Sequence, residues 1–206
     1  MSKKALIIGA TGLIGSHLLQ ELLKDHHFSE VVVFGRRSTH ISHEKLTEHI
    51  INFDQLDTYK DLITGDVLFS CLGTTLKKAG SKEVQWKIDY SYQYEMARIA
   101  KENQVPAYVL VSSSGASSSS KIFYSRMKGE LEEAIRKLHF PRTLIFQPSL
   151  LLGEREEVRR GEKIGEFVGV FLTKWILKKY RPIKGSEVAC AMNKAYMQNK
   201  EEGIEV

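Results

Sequence analysis

The sequence predicts an α/β fold: a single doubly wound parallel sheet with helices on both faces. Three observations carry that prediction. Apolar, β-branched runs of strand length alternate with segments of helical periodicity along the chain, the pattern of βαβ units and a parallel sheet. The first apolar run ends in a glycine-spaced turn, Gly9-Ala10-Thr11-Gly12-Leu13-Ile14-Gly15, and Leu18, Leu19, Leu22 and Leu23 follow at once at helical spacing. At 206 residues the chain suits one domain with one sizeable core. The expected strand order is 3-2-1-4-5-6, as in two-half dinucleotide folds. Residues 149–206 then supply a small helical substrate or cap region within the same domain.

The elements follow in order. Lys3 to Ile8 is a buried strand, and the glycines after it each have a use: Gly9 for the tight turn, Gly12 for close approach of backbone to a pyrophosphate, Gly15 for packing of helix on strand. Free amides and the dipole at the helix start would hold the phosphates. Glu30-Val31-Val32-Val33-Phe34 is strand two, and Gly35-Arg36-Arg37 ends it. Sites for NAD usually carry a carboxylate at this corner, about 20 residues past the glycines. Two arginines and no acid suit a 2′-phosphate instead, so NADP(H) is expected over NAD(H).

Ser38 to Lys45 is a polar loop containing His40 and His43, with His49 beyond it. No acid or cysteine completes a ligand spacing with them, so no metal is expected. His49-Ile50-Ile51-Asn52-Phe53 reads as strand three. Asp54 follows it, placed either to cap the next helix or to touch the adenine of a cofactor. Strand four is Asp66 to Leu72, and Gly73-Thr74-Thr75 past its end leaves room for a cofactor backbone or merely ends the strand. Leu76 to Gly80 reads as basic and mobile, and Ser81 to Asn103 as one long helix. Ala107 to Val111 is strand five and runs into Ser112-Ser113-Ser114-Gly115-Ala116, with Ser117 to Ser120 expected to be mobile. Phe123 to Leu138 is the next helix, Thr143 to Phe146 strand six, then a charged loop over Glu154 to Glu162 and helices around Glu166–Lys179 and Ser186–Asn199.

Composition excludes several functions. The net charge of +5 is modest, and its densest run, Lys178 to Lys184, reads as a solvated helix end rather than a nucleic-acid surface. An anionic substrate or cofactor accounts for the balance. No apolar run reaches the ~18 residues of a membrane span, and Met1-Ser2-Lys3-Lys4 leads straight into strand one without a hydrophobic signal region. With Cys71 and Cys190 too few for a disulfide framework, both read as structural and reduced, and the expected compartment is the cytoplasm.

The chemistry converges on three features: the serines ending strand five, then Tyr124, then Lys128 one helical turn later on the same face. The carboxyl ends of parallel strands form the ligand crevice, so all three could face a cofactor. A phenol is a poor acid or base at its reference pKa of about 10; an ammonium beside it would bring that value down. Lys128 could also hold the nicotinamide ribose, and a serine hydroxyl could bond a substrate oxygen.

On these segments the chain resembles the short-chain dehydrogenase/reductase superfamily, a Rossmann-fold group, in its atypical, NADP-binding branch. More closely it is similar to the Tat-interacting-protein-type oxidoreductases and their bacterial relatives. The matching stretches are Gly9 to Gly15, Cys71-Leu72-Gly73-Thr74-Thr75, Ser112-Ser113 with Gly115-Ala116, Tyr124 to Glu130, and Pro148 to Leu152. The resemblance implies NADP(H) held by the Gly9–Gly15 turn and by Arg36 and Arg37, with Cys71 and Leu72 lining the adenosine–ribose side. It implies Tyr124 as acid/base, Lys128 as its partner and a serine, taken as Ser113, on the substrate oxygen. Gln147 stands where the superfamily commonly has arginine, and Asp89 where many members use asparagine. The expected activity is hydride transfer between nicotinamide and a carbonyl or alcohol. The rival from another class is an NADP(H)-binding, redox-sensing regulatory protein acting through a protein partner, because the short C-terminal part leaves little chain for a substrate pocket. Either a monomer or a homodimer fits.

Overall fold

The computed structural model describes residues 2–152, 182–198 and 203–206. The chain enters as strand β1 (Lys3–Ile8), helix α1 (Leu13–Lys24) and strand β2 (Phe28–Gly35), followed by β3 (Leu46–Ile50), a 3-10 helix (Phe53–Leu62) and β4 (Val67–Ser70). A short helix α2 (Leu76–Ala79), α3 (Lys82–Trp86), a π turn (Lys87–Ser91) and α4 (Tyr92–Glu102) lead to β5 (Ala107–Val111), α5 (Phe123–Arg136) and β6 (Arg142–Phe146). Next are β7 (Leu151–Leu152), β8 (Ile183–Lys184), α6 (Gly185–Gln198) and β9 (Gly203–Glu205). The main sheet has seven strands in the order β3-β2-β1-β4-β5-β6-β9, every adjacent pair parallel.

Both faces of a parallel sheet are covered by helices, so its strands need apolar side chains at odd and even positions alike. Here Ala5 and Ile7 of β1 join Val31, Val33, Val67 and Phe69 beneath α1 and α6. Leu6 and Ile8 join Val32, Phe34 and Leu68 on the opposite face, against Met96 and Ala100 of α4 and Leu131 and Ile135 of α5. The strand order reverses between β1 and β4, where crevices open at the carboxyl ends of such sheets.

The predicted architecture and order hold, with β9 added at the β6 edge. All three residues of β9 are exposed, so it carries no apolar pattern to read; its pairing of Gly203 with Arg142 and Ile204 with Thr143 defines it. Strand three lies at Leu46–Ile50 rather than at 49–53, because the ladder with β2 sets Val31 opposite Leu46 and Gly35 opposite Ile50. The apolar residues Ile51 and Phe53 belong to the core beneath the chain as it leaves the sheet. The stretch at 76–80 is ordered: Thr75 caps the Lys78 amide, and Gly80, at φ +83°, ends the turn. The long helix at 81–103 is interrupted by the π turn. The loop at 154–162, the helix around 166–179 and the apolar residues Phe167, Phe171 and Trp175 lie outside the described residues. Among those described, no helix is long and apolar enough to cross a membrane.

Candidate functional site

The turn between β1 and α1 is built by exclusion. Gly9 sits at φ +81°, and a Cβ there would lie 2.4 Å from the Cys71 carbonyl carbon and 2.5 Å from the Leu72 nitrogen. A Cβ on Gly15 would lie 2.2 Å from the Gly9 carbonyl oxygen, so the helix can approach its own strand only with glycine there. Gly12 is the N-cap of α1 and has no side chain to accept from the first-turn amides, and no acidic residue occupies that turn. An uncapped helix start with aligned dipoles is an anion site in form.

That turn opens onto a cleft of about 1530 Å³. Gly9, Ala10, Thr11, Gly12 and Leu13 line one side, Arg36 and Arg37 the end of β2, and Cys71, Leu72, Gly73 and Thr74 the wall after β4. Glu48 on β3 holds the corner beside the arginines: its carboxylate accepts from the Thr39 amide at 2.8 Å, the Thr39 hydroxyl and the Ser38 hydroxyl. Burial alone would raise its pKa, but these bonds bring it below the ordinary value. The corner's nearby acid is thus occupied in shaping the loop. Burial pushes the Cys71 thiol up to about 12, which leaves it an unreactive part of the wall.

Ile14 and Gly15 are buried behind the turn rather than in the cleft. Asp54 does not line it either; its carboxylate pairs with Lys87 at 2.7 Å and accepts from the Tyr92 hydroxyl at 2.8 Å, while Asn52 caps the 3-10 helix. Its neighbour Phe53 lines the cleft in its place. Sequence reasoning also missed Lys78 of α2, Lys184 at the end of β8 and Ser186 at the start of α6, all lining the cleft, where Gly185 packs on Leu13. A glycine opening a helix was a signal of close approach there, but it did not name the partner. Among the described residues, Asp25, His26 and His27 bring three ligand-type atoms within 4.8 Å, away from the histidines weighed in the sequence. Asp25 is already bonded to His27 and Asn193.

Past β5 the three serines take different places. Ser112 is buried, its hydroxyl donating to Glu132, which Gln147 also bonds at 3.0 Å. The Ser113 hydroxyl lies 3.5 Å from the Ser114 carbonyl oxygen and faces the Tyr124 phenol. The Ser114 amide donates to the Pro148 carbonyl at 2.9 Å. Tyr124 is 38 % exposed, yet burial raises its phenol above the ordinary value, the Asp89 charge adds to this, and Ser113 draws it back. The expected lowering by Lys128 is not seen. Lys128 is buried, with its Nζ 3.4 Å from the Val111 carbonyl oxygen; burial pulls its pKa down, while Asp89 and Glu132 oppose that. Ser113, Tyr124 and Lys128 do not themselves line the cleft, though Lys128 faces Cys71, which does.

The serine loop is fastened to α5 rather than mobile. The Ser117 amide donates to the Ser125 carbonyl at 3.0 Å, Ser118 bonds Glu133, and a Cβ on Gly129 would lie 2.2 Å from the Ser117 carbonyl carbon. Gly129→Ala is expected to cost about 1–3 kcal/mol in chemical denaturation by forcing loop and helix apart. An unchanged midpoint would show that the loop does not rest on this helix.

A family model described as NAD(P)H-binding matches residues 9–170. The chain is 42% identical over 157 residues to Protein FMP52, mitochondrial, of Meyerozyma guilliermondii, spanning 74% of this chain and 67% of that one. It is 36% identical over 179 residues to Protein HTATIP2 of Rattus norvegicus, spanning 84% and 74%. Among solved structures it is similar to a short chain dehydrogenase family protein from Francisella tularensis subsp. tularensis SCHU S4, at TM-score 0.75 and 14% identity over 100% of this chain and 96% of that one. It is also similar to the Bordetella bronchiseptica enzyme WbmH in complex with NAD+, at TM-score 0.73 and 16% identity over 100% and 75%. At those identities the structural likeness shows the fold. The expected cytoplasmic location is overturned: FMP52 relatives from four fungi, at 36% to 42% identity, are named mitochondrial. Composition and two reduced cysteines do not distinguish one reducing compartment from another.

Proposed function

This chain belongs to the NAD(P)H-binding family, with HTATIP2 and the FMP52 proteins among its relatives, and from that premise we propose that it is an NADP(H)-dependent reductase or dehydrogenase of a carbonyl or alcohol. The observation that carries this reading is the uncapped, side-chain-free turn at the start of α1, facing Arg36 and Arg37 across one cleft. The residues present fit the cofactor. Gly9 to Leu13 would hold the pyrophosphate on backbone amides, Arg36 and Arg37 the 2′-phosphate, and Cys71 to Thr74 the wall beside them. When bound, the nicotinamide supplies or accepts a hydride. Tyr124 gives a proton to the substrate oxygen or takes one from it. Burial and Asp89 hold its phenol above the ordinary value, so at neutral pH the resting form is the proton donor. Ser113 faces the phenol and would share the substrate oxygen; Ser112 is already committed to Glu132. Lys128 lies buried one turn further along α5, where burial pulls its pKa down and Asp89 and Glu132 oppose that. The whole chain would act as one domain, with residues 149–206 as the region over the substrate.

The first test is NADPH oxidation against a panel of aldehydes, ketones and quinones, with binding first shown by fluorescence. The arginine pair has its own prediction. Arg36→Ala with Arg37→Ala should weaken NADPH by roughly 10- to 100-fold, the worth of charge-assisted bonds to a phosphate, and leave NADH affinity unchanged. Equal losses for both cofactors would assign the pair elsewhere.

A further inference from the structure

We propose that Asp25, His26 and His27 form a binding site for a divalent cation of the zinc class, supported from α6 by Asn193. The site lies apart from the cleft and does not depend on the reductase reading.

The sequence puts a carboxylate and two imidazoles on consecutive residues, in the turn between α1 and β2. Consecutive side chains on extended backbone point to opposite faces, away from any shared ion. Here the turn folds the imidazoles together: the ring centroids of His26 and His27 are 4.0 Å apart, with planes tilted by 35°. One ligand-type atom from each of the three residues lies within 4.8 Å of the others. His27 Nδ1 and Asp25 Oδ1 are 2.7 Å apart. On a tetrahedral zinc with bonds of about 2.0–2.2 Å, ligand atoms stand roughly 3.3–3.6 Å from one another. The observed spacings bracket that value. Both histidines are exposed, so rotations of their side chains close the set without moving the backbone.

The frame around these side chains is fixed. The Lys3 amide donates to the His27 carbonyl at 2.8 Å, and Lys45 Nζ donates to the Asp25 carbonyl at 3.2 Å. Asp25 Oδ1 accepts from the His27 amide at 2.9 Å, and Oδ2 accepts from Asn193 Nδ2 at 3.0 Å. Asn193 is only 9% exposed, and its Oδ1 is buried without a hydrogen-bond partner among the described residues. A buried amide bonded to one carboxylate is the kind of support that orients a metal-binding side chain from behind. Burial would raise the Asp25 pKa, but His27 and Asn193 bring it below the ordinary value, so the carboxylate is an anion at neutral pH. The turn's own hydrogen bonds account for Asp25. They do not account for His26, which is exposed, has no hydrogen bond among the described residues and meets the His27 ring. Two imidazoles with one carboxylate favour zinc-class cations over calcium or magnesium, which take oxygen ligands. The turn sits at the amino ends of β1 and β2, opposite the cleft, so the cation would brace α1, β2 and α6.

The test is calorimetric titration of Zn²⁺ into untagged protein stripped with EDTA, with thermal unfolding alongside. Wild type should take up one equivalent, and its unfolding midpoint should rise with zinc concentration. His26→Ala breaks no hydrogen bond, so its midpoint in EDTA should match wild type while its zinc affinity falls by at least about tenfold. Asn193→Ala, which removes only the support behind Asp25, should weaken zinc by about tenfold. His40→Ala with His43→Ala should bind zinc as wild type does. The proposal is overturned if wild type takes up no zinc, or if affinity is unmoved in either His26→Ala or Asn193→Ala. Loss of binding in the His40–His43 variant, or calcium bound as tightly as zinc, would overturn it as well. Each readout is independent of cofactor and substrate.

Discussion

Tyr124→Phe is expected to retain NADPH and to lose turnover by roughly 10²- to 10⁴-fold, the range a positioned proton donor supplies. The substitution removes one oxygen. Tyr124 lies at the start of α5 and is not among the residues lining the cleft; its polar neighbours are Ser113 and Asp89. Fluorescence titration with NADPH should therefore match wild type, while NADPH oxidation with any substrate found in the panel collapses. Undiminished turnover would reject the assigned role. A wild-type protein that holds NADPH firmly and reduces nothing would favour the regulatory reading, and the search would turn to a protein partner.

The second large effect is expected at Gly9→Ala. The new methyl carbon would meet three backbone atoms of Cys71 and Leu72 at 2.4 to 2.5 Å, distances that no rotamer change relieves. It would also hold a left-handed backbone, φ +81°, unfavourable for alanine. Together these cost about 2–5 kcal/mol, against a total stability of about 5–15 kcal/mol for a typical domain. The ladder must part where the Cys71 amide donates to Ile8 at 3.0 Å, so the two walls of the cleft separate and NADPH affinity falls with stability. Gly12→Ala is the contrast: its Cβ would lie 3.2 Å from the Gly9 carbonyl oxygen, a contact that a small shift relieves. Its denaturation midpoint should stay near wild type. A Gly9→Ala protein with a wild-type midpoint would refute the packing argument.

Periodicity and glycine spacing were enough for the sheet and for the turn at its centre, because both follow from local chemistry. Continuous apolar runs require burial on two faces, and a glycine-spaced turn between strand and helix has few other uses. The registers of β3 and β9 were not legible. Each is an edge strand whose pattern is weak, and pairing partners distant in sequence set its position. The serine run misled for a related reason: its composition is that of a linker, while its order comes from Gly129 on another element.

What the sequence determined by itself was the fold class, the glycine-spaced turn after β1, the arginine corner and the spacing of Tyr124 and Lys128, since each depends on residues near one another in the chain. Only the tertiary structure decided which serine faces Tyr124, that Asp54 turns to Lys87 and Tyr92, and that β8 and α6 bring Lys184 and Ser186 to the cleft. It likewise decided that Asp89 lies buried with its carboxylate on the Thr74 amide. Desolvation and charge are properties of a neighbourhood, and residues from β4, α4 and α5 become neighbours only when the sheet has formed.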